Sequence, residues 1–223
     1  MSDSAAIRRS ITDTGILPLF YYDSLGVSLE VARTLYRAGI RALEYTNRGE
    51  RALENFTVLK RTLSKEAPGL SLGIGTIKTP SEARSFISAG ADFIIAPIIN
   101  PEVAELAGQA GLPWIPGCMT PTEIELARQY QAPIIKLFPA NILGPAFVQS
   151  IREIFPGQLF IPTGGVELER NNIREWFKAG VCAVGMGSKL ITKEILKHAQ
   201  YDLLYTNTVA ALEIVRSIAN EIK

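Results

Sequence analysis

The amine of Lys136 is the side chain of this sequence with the clearest capacity for chemistry. It lies in the otherwise apolar segment PIIKLFP, residues 133–139. Lysine seldom enters a buried strand unless it is paired or functional. Burial disfavours the ammonium form and lowers the pKa, and a neutral amine attacks carbonyl carbon. The alternative is a lysine at a strand end whose ammonium group stays in water, and this segment alone fits both.

A carboxyl group and a guanidinium group follow a second apolar segment. Glu44 comes directly after Ala42 and Leu43, and Arg48 lies four residues further along. A carboxyl group beside an apolar pocket can act as a general acid and base, whereas a structural Glu44 would cap a helix or pair with Arg48. The guanidinium fits a carboxylate in bidentate fashion, although arginine is more often a solvated loop charge. Because Lys136 is expected at the same depth as Glu44 within one barrel of strands, we favour the functional role for Glu44.

Two glycine-rich segments could bind an anion through the backbone. Thr163-Gly164-Gly165 and Gly187-Ser188 each follow an apolar run. Glycine lets backbone N–H groups approach an anion closely, and a helix N-terminus adds a favourable dipole. Thr76, after another glycine-rich run, is either a hydroxyl donor to an anion or the first residue of a helix. The two glycine-rich segments at Thr163-Gly164-Gly165 and Gly187-Ser188 predict a local phosphate site, whereas any anion held by Thr76 would be the one that Arg48 binds.

The elements that must position these residues recur along the chain. Four short segments place a glycine after a helix-like stretch and before an apolar run, at Gly39, Gly90, Gly111 and Gly180. Such glycines predict helix C-caps that turn into strands. Eight strand–helix units with continuously apolar strands predict an α/β fold, a (β/α)₈ TIM barrel, in which the carboxyl ends of the strands carry the chemistry. An open doubly wound sheet is the alternative, but no glycine fingerprint follows the first strand.

We expect one domain over residues 1–223. Residues 1–14 are predicted to form an N-terminal extension or helix, and residues 201–222 a C-terminal helix. We also predict a helix over residues 188–197, directly after the eighth strand.

The composition limits the partners that this chain can have. A net charge of +1 gives no electrostatic reason to expect nucleic acid or a membrane surface as partner. Two cysteines are too few for a disulfide framework and favour a reducing, cytoplasmic location. A single histidine without clustered ligands argues against a metal site, and nothing predicts a cofactor.

Taken together, these motifs resemble the 2-dehydro-3-deoxy-phosphogluconate (KDPG) aldolase family, also called the 4-hydroxy-2-oxoglutarate (KHG) aldolase family. The resemblance covers residues 16 to about 190. The matching segments are Glu44…Arg48, Gly73-x-Gly75-Thr76, Pro116-Gly117, Lys136-Leu137-Phe138-Pro139-Ala140 and Pro162-Thr163-Gly164-Gly165.

The resemblance implies a (β/α)₈ barrel that assembles as a homotrimer and works as a class I, Schiff-base aldolase. It implies Lys136 as the Schiff-base residue and Glu44 as the proton-transfer group. Arg48 and Thr76 would hold the pyruvyl carboxylate of the substrate. Pro97 and Phe138 would line the pocket. The residues that would close the site and bind the distal phosphate are Thr163, Gly164, Gly165 and Ser188.

The expected activity is that of a lyase that cleaves KDPG to pyruvate and glyceraldehyde 3-phosphate, a reaction of the Entner–Doudoroff pathway. The chain departs from the family pattern at the pocket mouth, with Asn47 and Gly49 around Arg48, Ile98 after Pro97, and Asn141 after Ala140. These changes leave several alternatives. The substrate could be unphosphorylated 4-hydroxy-2-oxoglutarate or the phosphogalactonate epimer. The chain could also be another sugar-phosphate-binding barrel enzyme, or a non-catalytic barrel that binds a metabolite or a protein.

Overall fold

The structure, a computed structural model, describes residues 4–222, so the ends of the expected domain, residues 1–3 and 223, lie outside the described residues. The strands are β1 Ile16–Phe20, β2 Ala42–Thr46, β3 Ser71–Gly75, β4 Ile94–Ile95, β5 Trp114–Ile115, β6 Gly117–Cys118, β7 Ile134–Leu137, β8 Leu159–Pro162 and β9 Val184–Met186. The helices are α1 Ser4–Thr14, α2 Leu25–Ala38, α3 Ala52–Glu66, α4 Pro80–Ser88, α5 Pro101–Gln109, α6 Pro121–Gln129, α7 Ala140–Ile151, α8 Arg170–Ala179, α9 Lys193–Lys197 and α10 Tyr201–Ile222. Strands and helices alternate from β1 to β9 except between β5 and β6, which no helix separates, and helices α1 and α10 lie at the two ends.

Local sequence signals account for most helix ends. Gly39 and Gly180 end α2 and α8 with φ values of 114° and 101°, which only glycine adopts without strain. Thr79 and Thr120 begin α4 and α6 with reciprocal capping boxes, each followed by a proline in the first turn. The predicted alternation of capped helices and apolar strands is therefore confirmed.

The strands form a curled, entirely parallel sheet in two sections. The first section has the order β5-β4-β3-β2-β1-β9, and the second has the order β6-β7-β8. An isolated parallel bridge between Thr163 and Gly185 joins the end of β8 to β9. β5 and β6 are consecutive along the chain and are separated only by Pro116, whose carbonyl accepts a hydrogen bond from the backbone N–H of Lys136. The sequence predicts a fifth strand over residues 113–116; the structure has β5 there, and the further short strand β6 follows directly after Pro116.

Alternate residues of the strands pack into two different hydrophobic clusters. The outer cluster lies between the strands and the helices and contains Ile16, Leu43, Ile94, Trp114, Ile135 and Phe160. In each of these strands, a residue adjacent to the outer-cluster residue points to the other face of the sheet and belongs to an inner cluster. The inner cluster contains Leu17, Ala42, Ile95, Ile115, Ile134 and Ile161. Because both faces of the sheet are covered, the strands are continuously apolar, as parallel strands are. Ile7 and Ile11 of α1 join the inner cluster and cover it at the N-terminal ends of the strands.

The helix predicted over residues 188–197 is wrong in its first half. The helix α9 begins only at Lys193, where the Thr192 side chain accepts a hydrogen bond from the N–H of Ile195. The preceding residues form a turn in which the Gly187 carbonyl accepts hydrogen bonds from the backbone N–H groups of Leu190 and Ile191. The turn keeps Ser188 at the carboxyl end of β9. None of the helices in residues 4–222 combines the length and the apolar character that a membrane crossing needs.

Candidate active site

On the inner face of the sheet, the side chains change from apolar to polar or charged towards the carboxyl ends of the strands. Side chains two residues apart share a face of a strand. Ala42 of the inner cluster is therefore followed on the same face by Glu44, and Ile134 is followed by Lys136. The same step from Ile161 leads to Thr163. The alternation thus directs a carboxyl, an amine and a hydroxyl to one end of the inner core.

Glu44 and Lys136 form a close pair at this end. Lys136 Nζ lies 3.8 Å from Glu44 Oε1, and the two side chains are 6% and 1% exposed. Glu44 Oε1 accepts no hydrogen bond from the described residues. Gly75 on the neighbouring strand makes room for it, because a Cβ at that position would overlap Glu44 Oε1. The pair predicted from the sequence is brought together, with one oxygen free to exchange a proton.

Burial shifts both members of the pair towards their uncharged forms. It lowers the pKa of the Lys136 amine, and the nearby Arg48 guanidinium lowers it further, while Glu44 opposes the shift. Burial also raises the pKa of the Glu44 carboxyl, against the opposing charges of Lys136 and Arg48. Desolvation is the dominant cause in both residues. A neutral amine beside a protonated carboxyl is the combination needed to attack a carbonyl and to supply a proton.

The lowered pKa of Lys136 has a measurable consequence for stability. The pKa in the folded protein lies below the unfolded value of about 10.4. Between these two values the unfolded chain binds the additional proton. The free energy of unfolding should therefore rise with pH in this window, by up to about 1.4 kcal/mol per pH unit. Above about pH 10.4 both states are neutral and the destabilising contribution disappears.

Denaturant unfolding of Glu44→Gln and of Glu44→Gln/Lys136→Met, between about pH 7 and about pH 10, measures this contribution. The substitution at Glu44 removes its own titration from both proteins. The double variant should be the more stable at neutral pH, and its advantage should shrink as the pH rises. A stability difference that stays constant over this range would contradict the expected shift.

A cavity of about 320 Å³ opens at the carboxyl ends of the strands. Seven of the residues predicted to form the site line it: Arg48, Phe138, Thr163, Gly164, Gly165, Gly187 and Ser188. Lys136 and Glu44 do not line this cavity. Lys136 Nζ nevertheless lies 5.3 Å from the centroid of the Phe138 ring, which does. Phe138 therefore connects the reactive pair to the cavity.

Two predicted residues, Thr76 and Pro97, lie outside the lining of this cavity. Thr76 directly follows β3 and is half-buried, and its φ of 64° places a β-branched residue in the left-handed region. Such strain persists only where surrounding structure imposes it and is concentrated at functional sites. Pro97 follows β4, and its carbonyl approaches Gly117 so closely that a Cβ there would overlap it. Both residues therefore lie just after the carboxyl ends of their strands.

Three residues with polar or charged side chains that the sequence did not single out also line the cavity: Tyr21, Lys189 and Lys193. Lys189 Nζ lies 2.8 Å from Glu167 Oε1, so its charge is neutralised locally. Lys193 is exposed and forms no ion pair with the described residues, as is true of Arg48. No acidic residue lines the cavity within residues 4–222. Both lysines follow the glycine-rich turn after β9 in the sequence, and their closeness to this predicted phosphate-binding turn is the signal that could have identified them.

Metal-ligating side chains do not cluster in the part of the chain that the structure describes, where no group of three or more His, Cys, Asp or Glu residues is placed to hold an ion. The arrangement that remains is a buried amine and carboxyl beneath a cavity with unpaired cations at its mouth. It suits covalent chemistry on the carbonyl of an anionic substrate.

Comparison with known proteins places this arrangement in a family. Residues 7–206 match the family model described as "KDPG and KHG aldolase". The chain is 32% identical over 212 residues to the 2-dehydro-3-deoxy-phosphogluconate aldolase of Pseudomonas aeruginosa, covering 94% of this chain and 93% of that protein. It is 32% identical over 196 residues to the KHG/KDPG aldolase of Escherichia coli K12, covering 86% and 89%.

A solved structure gives the same result. The KDPG aldolase of Legionella pneumophila, with pyruvate captured at low pH as a covalent carbinolamine intermediate, superimposes with a TM-score of 0.83. It is 27% identical to this chain, and the match covers 91% of this chain and 96% of that one. The fold, the sequence and the buried lysine–glutamate pair thus agree, and the chain belongs to the KDPG and KHG aldolase family.

Proposed function

We propose that this protein is a class I aldolase, a lyase that cleaves KDPG to pyruvate and glyceraldehyde 3-phosphate. The observation that carries the proposal is the buried pair, with Lys136 Nζ 3.8 Å from Glu44 Oε1. Opposite pKa shifts that favour a neutral amine and a protonated carboxyl supply both partners for imine formation. Membership of the KDPG and KHG aldolase family supports the same reaction.

The first half of the reaction builds an electron sink. Neutral Lys136 Nζ attacks the C2 carbonyl carbon of the substrate and forms a carbinolamine. Protonated Glu44 donates its proton to the carbinolamine hydroxyl, which leaves as water and yields a protonated imine. This step turns Glu44 into a carboxylate beside the new positive charge. The acid has thereby become the base that the next step requires.

The second half breaks the carbon–carbon bond. The Glu44 carboxylate, directly or through one water, removes the C4 hydroxyl proton. The C4 oxygen becomes the aldehyde carbonyl, the C3–C4 bond breaks, and its electron pair passes into the imine to form an enamine on Lys136. Glu44 then returns the proton to C3. Water then attacks the imine carbon and gives a proton to the Glu44 carboxylate, and collapse of the carbinolamine releases pyruvate and restores both the neutral amine and the protonated carboxyl.

Other residues would orient the substrate by charge. We propose that Arg48 binds the pyruvyl carboxylate with Thr76, and that Pro97 and Phe138 line the pocket around it. A guanidinium favours this role because it matches a carboxylate in bidentate fashion. The distal phosphate would lie in the cavity lined by Thr163, Gly164, Gly165, Gly187 and Ser188. The unpaired ammonium group of Lys193 at the same cavity supports a second anionic group on the substrate.

The finer architecture is part of this proposal. We propose one domain in which the two sheet sections close into an eight-stranded barrel, with β5 and β6 as a single strand interrupted at Pro116. The bridge between Thr163 and Gly185 and the separate inner cluster support closure. A homotrimer, a cytoplasmic location and a place in the Entner–Doudoroff pathway remain predictions.

Turnover of a small substrate panel tests the assignment. The panel contains KDPG, its galactonate epimer, their unphosphorylated forms and 4-hydroxy-2-oxoglutarate. We expect kcat/KM for KDPG to exceed that for its unphosphorylated form by about tenfold or more, because the phosphate adds a charge-assisted contact. Lys193→Ala should reduce this ratio, and Lys197→Ala, an exposed lysine on the same helix but outside the cavity, should not.

The panel also contains the outcomes that contradict the proposal. A higher kcat/KM for 4-hydroxy-2-oxoglutarate or for the galactonate epimer would reassign the substrate within the family. Absence of cleavage of every compound would contradict aldolase activity and favour a barrel that binds sugar phosphates without forming an imine.

A further inference from the structure

Tyr21 occupies a position between the core and the mouth of the cavity. It follows Phe20, the last residue of β1, and lines the cavity. Its ring packs against the fully buried Tyr45, with centroids 5.5 Å apart at an angle of 52°. The Tyr45 hydroxyl donates a hydrogen bond of 3.0 Å to the Tyr22 carbonyl and accepts one of 3.2 Å from Asn55 Nδ2. One face of Tyr21 therefore rests on a fixed part of the core.

The other side of Tyr21 faces the turn that follows β2. A Cβ at Gly49 would overlap the Tyr21 hydroxyl and the ring carbon that bears it. The φ of Gly49 lies outside the left-handed region, so this position needs glycine for space and not for backbone geometry. The turn and the ring are thus in direct contact.

The Tyr21 hydroxyl is also held in place. It donates a hydrogen bond to the Asp23 carboxylate. Burial and this acceptor together raise the pKa of Tyr21 to about 12, and the backbone N–H of Arg51 acts on the same hydroxyl in the opposite direction. The hydroxyl is therefore held by Asp23, shortly after the end of β1, at the point where it packs against Gly49.

Arg48 lies immediately before Gly49 and depends on this turn for its position. Its backbone N–H donates a hydrogen bond of 2.9 Å to the Thr46 carbonyl, and the Gly49 carbonyl accepts one of 3.0 Å from Ala52. No carboxylate of the described residues pairs with the Arg48 guanidinium, which lines the same cavity as Tyr21. The backbone of the turn therefore determines the position of Arg48, and the Tyr21 side chain packs on that backbone.

We propose that Tyr21 is a positioning residue that holds the turn of residues 48–51 and so aims Arg48 at the substrate carboxylate. This inference rests on the proposed function for the role of Arg48. It assigns Tyr21 no contact with reacting atoms. It also explains the glycine at position 49, since the tyrosine ring occupies the space that a side chain would take.

A double-mutant cycle tests whether Tyr21 acts through Arg48. The proteins are wild type, Tyr21→Ala, Arg48→Ala and the double variant, with kcat and KM measured for KDPG. A displaced positioning group costs up to about 100-fold, so we expect Tyr21→Ala to raise KM about tenfold or more in the presence of Arg48. In the Arg48→Ala background the same change should alter KM less than about twofold. An equal effect in both backgrounds would overturn the proposal.

Conservative variants distinguish the packing of the Tyr21 ring from the hydrogen bond of its hydroxyl, and they disturb the fold less than Tyr21→Ala does. Tyr21→Phe keeps the ring and should retain most of the affinity. Gly49→Ala should raise KM in the presence of Tyr21, because its Cβ overlaps the ring, and should be tolerated when combined with Tyr21→Ala. Gly49→Ala with wild-type KM would contradict the contact on which the proposal depends.

Backbone order parameters of residues 48–51 provide a readout that does not require turnover. We expect values near 0.85 in the wild-type protein and below about 0.6 in Tyr21→Ala. Unchanged values would overturn the positioning role even if the protein is an active aldolase. Lowered values in a protein that cleaves none of the substrates would instead support the positioning role and contradict the proposed function.

Discussion

Lys136→Ala should lower kcat for KDPG cleavage by about 10⁵-fold or more, since loss of a catalytic nucleophile removes the covalent route. Borohydride with pyruvate should trap one reduced adduct on Lys136 of the wild-type protein and none on the variant. Peptide mass mapping locates the adduct among the lysines of the chain. The buried position of Lys136 next to Glu44 is the structural reason for this selectivity.

Lys197→Ala is the matched control, because this exposed lysine lies outside the cavity. It should retain wild-type turnover and adduct formation. Thermal unfolding of both variants shows whether a loss of activity reflects loss of the fold. An adduct on another lysine, or substantial turnover by folded Lys136→Ala, would refute the assignment of the nucleophile.

Glu44→Gln should lower kcat by about 10²- to 10⁴-fold, the range in which positioned proton transfer contributes. Glutamine retains the size of the side chain beside Gly75 but cannot give or take the proton at the carbinolamine, C4 hydroxyl and C3 steps. Lys136 remains present, so pyruvate with borohydride should still yield the adduct, only more slowly. Loss of turnover with retention of the adduct separates the proton-transfer group from the nucleophile.

Glu175→Gln, on the exposed surface of α8, serves as the control and should leave kcat unchanged. The fold should survive Glu44→Gln, because the carboxyl it replaces is already biased towards its neutral form. A folded Glu44→Gln protein with wild-type kcat would show that another group, or solvent, moves the protons.

The sequence predicts the site because the signals are local. A charged residue in a strand that is apolar throughout is conspicuous, and the period of two places Glu44 and Lys136 on the inner face once the strands are assigned. Glycine at the ends of helices is equally local, and Gly39 and Gly180 confirm it. The 3.8 Å distance between Glu44 Oε1 on β2 and Lys136 Nζ on β7 is not local, because it depends on how the whole sheet curls.

Contacts between loops are what the sequence could not provide. Tyr21 and Gly49 meet across 28 positions of the chain and carry no motif, so neither residue indicates the other. Lys193 lines the cavity as the first residue of α9, which follows the turn after β9. The sequence instead predicts a helix that begins at residue 188. Both positions depend on the packing of turns, which propensity and periodicity do not describe.

The covering of the inner cluster by Ile7 and Ile11 leaves only one side by which the two fragments of the proposed reaction can depart. The N-terminal ends of the strands are closed by α1, so the carboxyl ends are the side by which molecules enter and leave. In the proposed mechanism, the pyruvate fragment stays bound to Lys136 as the enamine, and the aldehyde lies between it and the mouth of the cavity. The aldehyde must therefore diffuse out first, and in the synthetic direction pyruvate must load before any acceptor arrives.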